Sequence, residues 1–515
     1  MSQEEALAIL ESNSSILLTG AAGTGKTYLL NQFIKRSRQN GKSVAVTATT
    51  GLAATHLNGA TIHAWSGIGI ADELPPRFFD KIAKSRADLI NKADILVIDE
   101  ISMLHDFRLD MIEEIARRVR GNDEPFGGLQ VVLCGDFYQL PPINRGDSRQ
   151  GGFVTRSNIW DKGHFAVCYL SKQYRQADDQ DYTDTLNGIR KGRLKQSQLD
   201  ALMARKDATA DPFTQRTRLL TTNMDVDSIN QAQLDKLDAN EQTYDMTTTG
   251  SKRYVEQLKK SCLAQEELRL KLGAHVMFIR NAQDKSYVNG SLGEVIGFED
   301  GTNYPLVQLK RNDKVITATP DTWELMDGDK RRASLTQIPL RLSWAITVHK
   351  SQGMTLDGAQ VDLSRAFVEG MGYVALSRVR GLKDLILDGI NGKALQVSPE
   401  AKAIDEALRS LSEEAVGKHA DHIKDWQERE AKGKNVSKKK KSSAKAGTWA
   451  EKIDKMRETH PNAYRPWKDD QDDTLKGMFE AGKSVKEISG ALGRHTGSIR
   501  ARLKKHYGDD VFENS

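Results

Sequence analysis

The sequence predicts an α/β protein with two mostly parallel sheets, a small β-barrel-like insert in the second, and a small helical domain at the C-terminus. Three observations predict it. Apolar runs alternate with helical patterns over residues 1–165, from about Phe165 to Asp235, and from about Gln337 to Asn391. Between about 240 and 335 the pattern becomes short strands, Val276–Ile279, Gly293–Phe298, Leu306–Leu309 and Val315–Thr317, broken by Asn289-Gly290, Gly297 and Asn312. Beyond a lysine-rich stretch, residues 448–508 show helical spacing again.

The first strand, Ile16–Leu18, runs into Gly20–Thr27, which reads GAAGTGKT, and then into Leu30, Phe33 and Ile34 at helical spacing. Strand, glycine loop and helix form an anion cradle. Gly20, Gly23 and Gly25, with Thr24 among them, let backbone N–H groups converge on phosphate, and the helix N-terminus adds partial positive charge. Lys26 suits the β/γ-phosphates of a nucleoside triphosphate and the Thr27 hydroxyl suits Mg²⁺.

Later strands are Val44–Thr47, Ile95–Ile98 and Val131–Cys134, with a weakly patterned insertion at about 65–84 around Pro75-Pro76. ILVIDEISM puts Asp99 and Glu100 at a strand's carboxyl end, where parallel sheets bind ligands. Asp99 is the candidate Mg²⁺ partner and Glu100 the candidate base for water. GDFYQLPPI places Gln139 at the next strand end as a candidate γ-phosphate sensor.

The 515 residues are 38% hydrophobic and 28% charged with net charge +5, which permits a polyanion partner without requiring one. Cys134, Cys168 and Cys262 are too scattered for a disulfide framework or zinc cluster. No apolar run is long enough for a membrane span, and with the loop beginning 19 residues after Met1 the expectation is that there is no cleaved leader.

Taken together, GAAGTGKT, VAVTATTGLAA with GATIHAW, VIDEISM, GDFYQLPPI, KQYRQ, LSWAITVHKSQGMTLD and YVALSRVR occur in the order of a PIF-type (petite integration frequency family, RecD-related) superfamily 1 helicase, and the chain resembles that family over residues 1–391. The stretch LHDFRLDMIEEIARRVRGNDEPFGGLQ resembles the segment that sets the family apart. The resemblance implies two RecA-like domains, 1–165 and 166–240 plus 336–395, with an SH3-like β-rich insert over 241–335. It implies that Gln3 reads adenine, that Arg175 and Arg378 are arginine fingers, and that Gly353 lies near the nucleotide. It places single-stranded DNA on Thr49, Thr50, Thr61 and His63 in the first domain and on His349, Lys350 and Ser351 in the second. His63 by itself equally suits a satisfied structural histidine.

Residues 396–447 read as a charged helical segment followed by a flexible linker at 431–447, whose Lys438–Lys441 run is a solvated spacer, a nucleic-acid contact or a nuclear signal. The remainder, 448–515, resembles a Myb-like helix-turn-helix. Trp467 anchors it, Ser484 and Glu487 form a capping box, Gly493 stops one helix and Thr496 caps the next. Its basic face carries Arg500, Arg502 and Lys504 and suits either duplex DNA or a docking protein.

The expected activity is ATP- and Mg²⁺-dependent 5′ to 3′ translocation on single-stranded DNA with duplex unwinding, in replication, repair or recombination. The expected form is a monomer working at duplex junctions, nucleoid-associated in a prokaryote or nuclear in a eukaryote. The alternatives are an ATP-regulated DNA-binding switch, or a translocase that acts on RNA or strips bound proteins.

Overall fold

The computed structural model describes all residues except 70, 145–148, 207–215, 222–225, 283–285, 311, 328–329, 444–456, 458, 463–466, 468, 508–510 and 512–515. The chain divides into two units, Met1–Gln427 and Glu428–Ser515.

Among the described residues, the first lobe of the larger unit is a six-stranded sheet in the order β3-β2-β4-β5-β1-β6. Its strands are β1 (Ile16–Gly20), β2 (Val44–Ala48), β3 (Ala60–Thr61), β4 (Ile95–Asp99), β5 (Gln130–Cys134) and β6 (Ala166–Leu170). All pairings are parallel. Positions in β1, β4 and β5 are buried throughout, so apolar side chains on both faces need helical cover. Helices α1 (Gln3–Leu10) and α2 (Lys26–Gln39) cover one face, with a core that includes Leu7, Leu30, Phe33 and Val132. The helix Asp106–Arg120 belongs to the opposite core, which continues into the second lobe through Tyr182, Ile346 and Val374.

Ala166–Leu170 belongs to the first lobe, not to the second as its position after residue 165 suggests. It pairs with β1 over its full length, from Ile16–Ala166 to Gly20–Leu170. An apolar strand at the open edge of a parallel sheet pairs where its backbone groups find partners. The chain therefore crosses between lobes after Leu170.

The second lobe has a parallel sheet in the order Ala345–Thr347, Thr217–Leu220, Ala359–Leu363, Leu385–Ile390. The insert between its halves contains a five-stranded antiparallel sheet whose last strand, Leu340–Leu342, lies beyond the expected end at 335. Phe278, Val295, Val307 and Leu340 fill its core. A three-stranded sheet with Thr247–Gly250 and the helix Lys252–Ser261, which packs against Gly51–His56, complete it.

The segment after 396 is not an appendage in its first part. The helix Pro399–Lys418 returns to β6, where the Ser412 hydroxyl accepts from the Tyr169 N–H and the Tyr169 hydroxyl donates to Asp405. The next helix runs Ala420–Ser443, so the stretch read as a flexible linker from 431 is helical through Ser443. Its Lys and Ala residues are good helix formers, and polarity alone does not exclude a helix. Residues 444–447 lie outside the described residues.

In the smaller unit, Asp469–Glu480, Val485–Leu492 and Thr496–Tyr507 pack around Leu475, Ile488, Ile499 and Leu503. Ser484 and Glu487 make the reciprocal capping box, and Gly493 ends that helix at φ 58°. The last helix begins at Thr496, and the residue before it, His495, accepts from Gly497 N–H through Nδ1, so the cap is His495 rather than Thr496.

Candidate functional site

The carboxyl ends of β1, β4 and β5 converge on a cleft between the lobes of the larger unit. It has a volume of about 300 Å³, and Lys26, Asp99, Glu100, Gln139, Arg175 and Arg378 line it. Thr27, Gly23, Gly25 and Gly353 border it as well. These residues span positions 23 to 378, and both lobes contribute.

The loop has the shape that a phosphate cradle requires. Gly23 and Gly25 sit at φ 81° and 83°, in the left-handed region. A Cβ on Gly23 would meet Arg175 Cβ at 2.6 Å, and one on Gly25 would lie 2.3 Å from Gln3 Nε2. The Ser2–Glu5 capping box fixes the start of α1. Gln3, its first residue, donates through Nε2 to Thr24 O at 3.0 Å and so stands beside the loop. The Thr24 side chain is turned inward, its hydroxyl donating to Ala21 O at 2.9 Å. The Lys26 ammonium donates to Gly20 O and Ala21 O at 2.8 and 3.1 Å, folded against the loop.

Asp99 and Glu100 are adjacent yet differently placed. Asp99 ends β4 and accepts the Glu100 N–H at 2.9 Å. Glu100 is at φ 54°, a left-handed bend that aims its carboxylate into the cleft. Burial, then the neighbouring Asp99 charge, pushes the Glu100 carboxyl up to about 7. Burial also raises Asp99. Gln352 precedes Gly353 in HKSQG, and nothing in that motif alone marks it as a site residue. Its Nε2 donates to Glu100 Oε2 at 3.0 Å and to Gln139 Oε1 at 3.2 Å, tying the second lobe to both.

Arg378 is 1% exposed and donates to Val374 O at 2.7 Å, to Ser377 Oγ at 2.9 Å, and to Ser351 O and Met354 O at 3.3 and 3.4 Å. Arg175 donates to Ser377 O at 2.9 Å. Burial and the nearby Arg378 charge lower Arg175, yet a guanidinium stays charged, so both arginines present positive charge to the cleft. Tyr28, Tyr174, Thr355 and Arg380 also line it. Tyr28 and Tyr174 are 65% and 47% exposed.

No group of three or more His, Cys, Asp or Glu able to hold a metal occurs among the described residues. Mg²⁺ takes one or two carboxylates plus phosphate oxygens and water rather than an all-protein cage. The hard oxygens of Asp99 and Thr27 in the cleft are a suitable donor set.

The expected strand contacts divide into two groups. Thr50 and Thr61 are partly exposed, and each caps a helix, accepting from Ala53 N–H and Ala64 N–H. His349 and Lys350 are partly exposed. Thr49 and Ser351, by contrast, are 8% and 0% exposed. The Thr49 hydroxyl donates to Glu100 O at 2.9 Å and the Ser351 hydroxyl to Val348 O at 2.8 Å. Both hydroxyls are turned onto backbone carbonyls. They brace the residues that carry Glu100 and receive Arg378. The His63 ring faces Arg108 NH1 at 3.2 Å, and burial, then Arg108, then His105 lower it to about 4. It is a neutral, partnered histidine at neutral pH.

In the smaller unit Arg500 and Lys504 are exposed. Arg502 is not part of that exposed face. It pairs with Asp472 through Nε at 2.7 Å, and with Arg494 it lies over the Trp467 ring, at 5.3 and 4.2 Å.

The family model described as "PIF1-like helicase" matches residues 3–200, and "DNA helicase Pif1, 2B domain" matches residues 253–298. The "ATP-dependent DNA helicase Pif1" of Psychrobacter sp. (strain PRwf-1) is 40% identical over 473 residues, covering 81% of this chain and 72% of that protein. Human "ATP-dependent DNA helicase PIF1" is 37% identical over 420 residues, covering 79% of this chain and 64%, less than two thirds, of the human one. Among solved structures, Bacteroides sp Pif1 in complex with ADP-AlF4 superposes with TM-score 0.70 at 32% identity, covering 79% of this chain and 96% of that one. Bacteroides Pif1 bound to ssDNA superposes with TM-score 0.55 over the same shares at 32% identity. A glycine loop, an acidic strand end and two arginines meet in one interlobe cleft, in a fold shared with these proteins, and the chain belongs to the PIF1-like helicase family.

Proposed function

We propose that this ATP-dependent DNA helicase moves 5′ to 3′ on single-stranded DNA by opening and closing the cleft around ATP·Mg²⁺. The observation that carries it is the cleft itself, in which Lys26, Asp99 and Glu100 of one lobe stand opposite Arg378 of the other.

Gln3 would recognise adenine and Lys26 would leave its loop carbonyls for the β/γ-phosphates. Thr27 and Asp99 would hold Mg²⁺, which supplies charge neutralisation on the phosphate oxygens when bound. Glu100 takes the proton of the attacking water, held in place by Gln352. Gln139, through the same Gln352, reports the γ-phosphate to the second lobe. Arg175 and Arg378 place two positive charges where charge spreads over the departing phosphoryl oxygens.

Thr50, Thr61, His63, His349 and Lys350 would contact the strand through sugar and phosphate, giving sequence-independent grip. Arg500 and Lys504 would hold duplex DNA, keeping the smaller unit's load close to a junction. A monomer working on DNA in the nucleoid or nucleus is the simplest setting for this activity.

ATP hydrolysis and strand separation on 5′-tailed, 3′-tailed and RNA-tailed duplexes test the reading, with Lys26→Ala as control. Unwinding confined to the 5′-tailed DNA substrate is expected. Equal activity on 3′ tails, or an active Lys26→Ala protein, overturns it.

A further inference from the structure

One buried cluster is not used by this mechanism. Arg190 ends the helix Gln180–Arg190 with its side chain 4% exposed, and it faces two carboxylates. Its NH1 donates to both Asp136 oxygens at 2.9 and 2.8 Å, and its NH2 donates to Asp405 at 3.1 Å. The Tyr138 and Tyr373 rings flank it at 4.2 and 5.3 Å. The Tyr373 hydroxyl is at the centre. It accepts from Arg190 NH1 at 2.9 Å, donates to Asp136 at 3.3 Å, and accepts the Ala22 N–H of the phosphate loop at 2.9 Å.

That last bond spans 351 residues and joins the second lobe to the loop. Tyr373 lies on the helix Met371–Leu376, and Arg378 follows that helix, tied to it by the bond from Nε to Val374 O. The hydroxyl that holds the loop and the guanidinium that faces the cleft therefore move as one piece. The loop is gripped a second time at the next residue, where Gly23 O accepts the Tyr174 N–H at 2.8 Å. A buried N–H that loses its partner must find another or carry a desolvation cost, so the Ala22 peptide keeps its orientation only while the hydroxyl stays in place.

We propose that Tyr373 is a positioning residue for hydrolysis: its hydroxyl, clamped by Asp136 and Arg190, sets the Ala22 peptide, so the loop takes its hydrolytic shape only when the helix leading to Arg378 is seated. The inference rests on the cleft being the ATP site. Lobe closure and loop geometry become one event, and the Asp136–Arg190 pair is the anchor for both.

The test uses the full chain, saturating oligo-dT and steady-state ATP hydrolysis. Tyr373→Phe keeps the ring and removes the hydroxyl. It is expected to lower kcat about tenfold with KM for ATP within about twofold, the split of an interaction that matters after binding. Asp136→Asn should give the same split, and the double variant should lose no more than the worse single one, because both act through one hydroxyl. An unchanged kcat in Tyr373→Phe, or losses that multiply in the double variant, overturns the proposal. If Tyr373→Phe does not fold, Asp136→Asn decides, and a normal kcat there overturns it. Lys26→Ala runs alongside. If it stays active, the ATP-site reading fails; if it is inactive while Tyr373→Phe is normal, only this inference fails.

Discussion

Replacing Arg190 by methionine isolates the energetic role of the buried pair. The substitution keeps an apolar body against Tyr138 and Tyr373 but removes the charge that serves Asp136 and Asp405, whose side chains are 1% and 11% exposed. Stripping one partner from such a pair leaves a carboxylate uncompensated and costs about 3–5 kcal/mol. The pH dependence follows from the sign of the Asp136 shift. Burial would raise its carboxyl, but Arg190, together with Lys26 and the Tyr138 N–H, holds it below the ordinary range. In the wild type this contribution is therefore present above the unfolded value of about 3.8 and is lost only as pH falls below it. Without Arg190 burial dominates, Asp136 binds a proton at higher pH, and the gap between variant and wild type narrows as pH falls from 7 towards 4. Urea unfolding followed by circular dichroism at pH 7 and pH 5 measures both, and adding Asp136→Asn to the variant should recover most of the loss. A loss under about 1 kcal/mol, or one independent of pH and unrelieved by Asp136→Asn, would refute the reasoning.

Three other outcomes are expected. Gly25→Ala forces a Cβ against Gln3 Nε2 at a residue with φ 83°, so ATP affinity should fall by about tenfold or more in equilibrium titration with a fluorescent analogue. Because the Glu100 carboxyl sits at about 7, it is protonated below that pH and gains base character above it, so kcat/KM should climb through pH 6–8, with the climb absent from the residual activity of Glu100→Gln. Trp467→Ala removes the ring under Arg494 and Arg502 and should unfold the smaller unit at a cost of about 3–5 kcal/mol, abolishing duplex binding in gel shift while strand-stimulated hydrolysis persists.

The parts of the molecule that were legible from sequence are those in which local chemistry dictates local shape. Gly23 and Gly25 announce left-handed backbone and Ser484 with Glu487 announce a helix start, because neither depends on distant residues. Arg175 and Arg378 were identified through family resemblance alone. Nothing in ALSRV distinguishes a fully buried guanidinium from a surface one. Thr49 and Ser351 show the reverse limit. Small polar residues in a strand-contacting motif look like contacts, whereas tertiary packing turns these two hydroxyls onto backbone carbonyls. Ala166–Leu170 carries an apolar strand pattern, but no pattern within it says which sheet it joins. The Asp136–Arg190–Tyr373 cluster was out of reach, since its members lie 54 and 237 positions apart and each looks unremarkable alone.

The placement of β6 has a mechanical corollary. With the crossover beginning after Leu170, Tyr174 and Arg175 ride on the connector between the lobes, while the backbone of Tyr174 is bonded to Gly23. On the proposed opening and closing of the cleft, that strap would carry one of the two arginines while touching the anion cradle. Load on the track would then reach the phosphates partly through this strap, so stalling force and hydrolysis rate should change together.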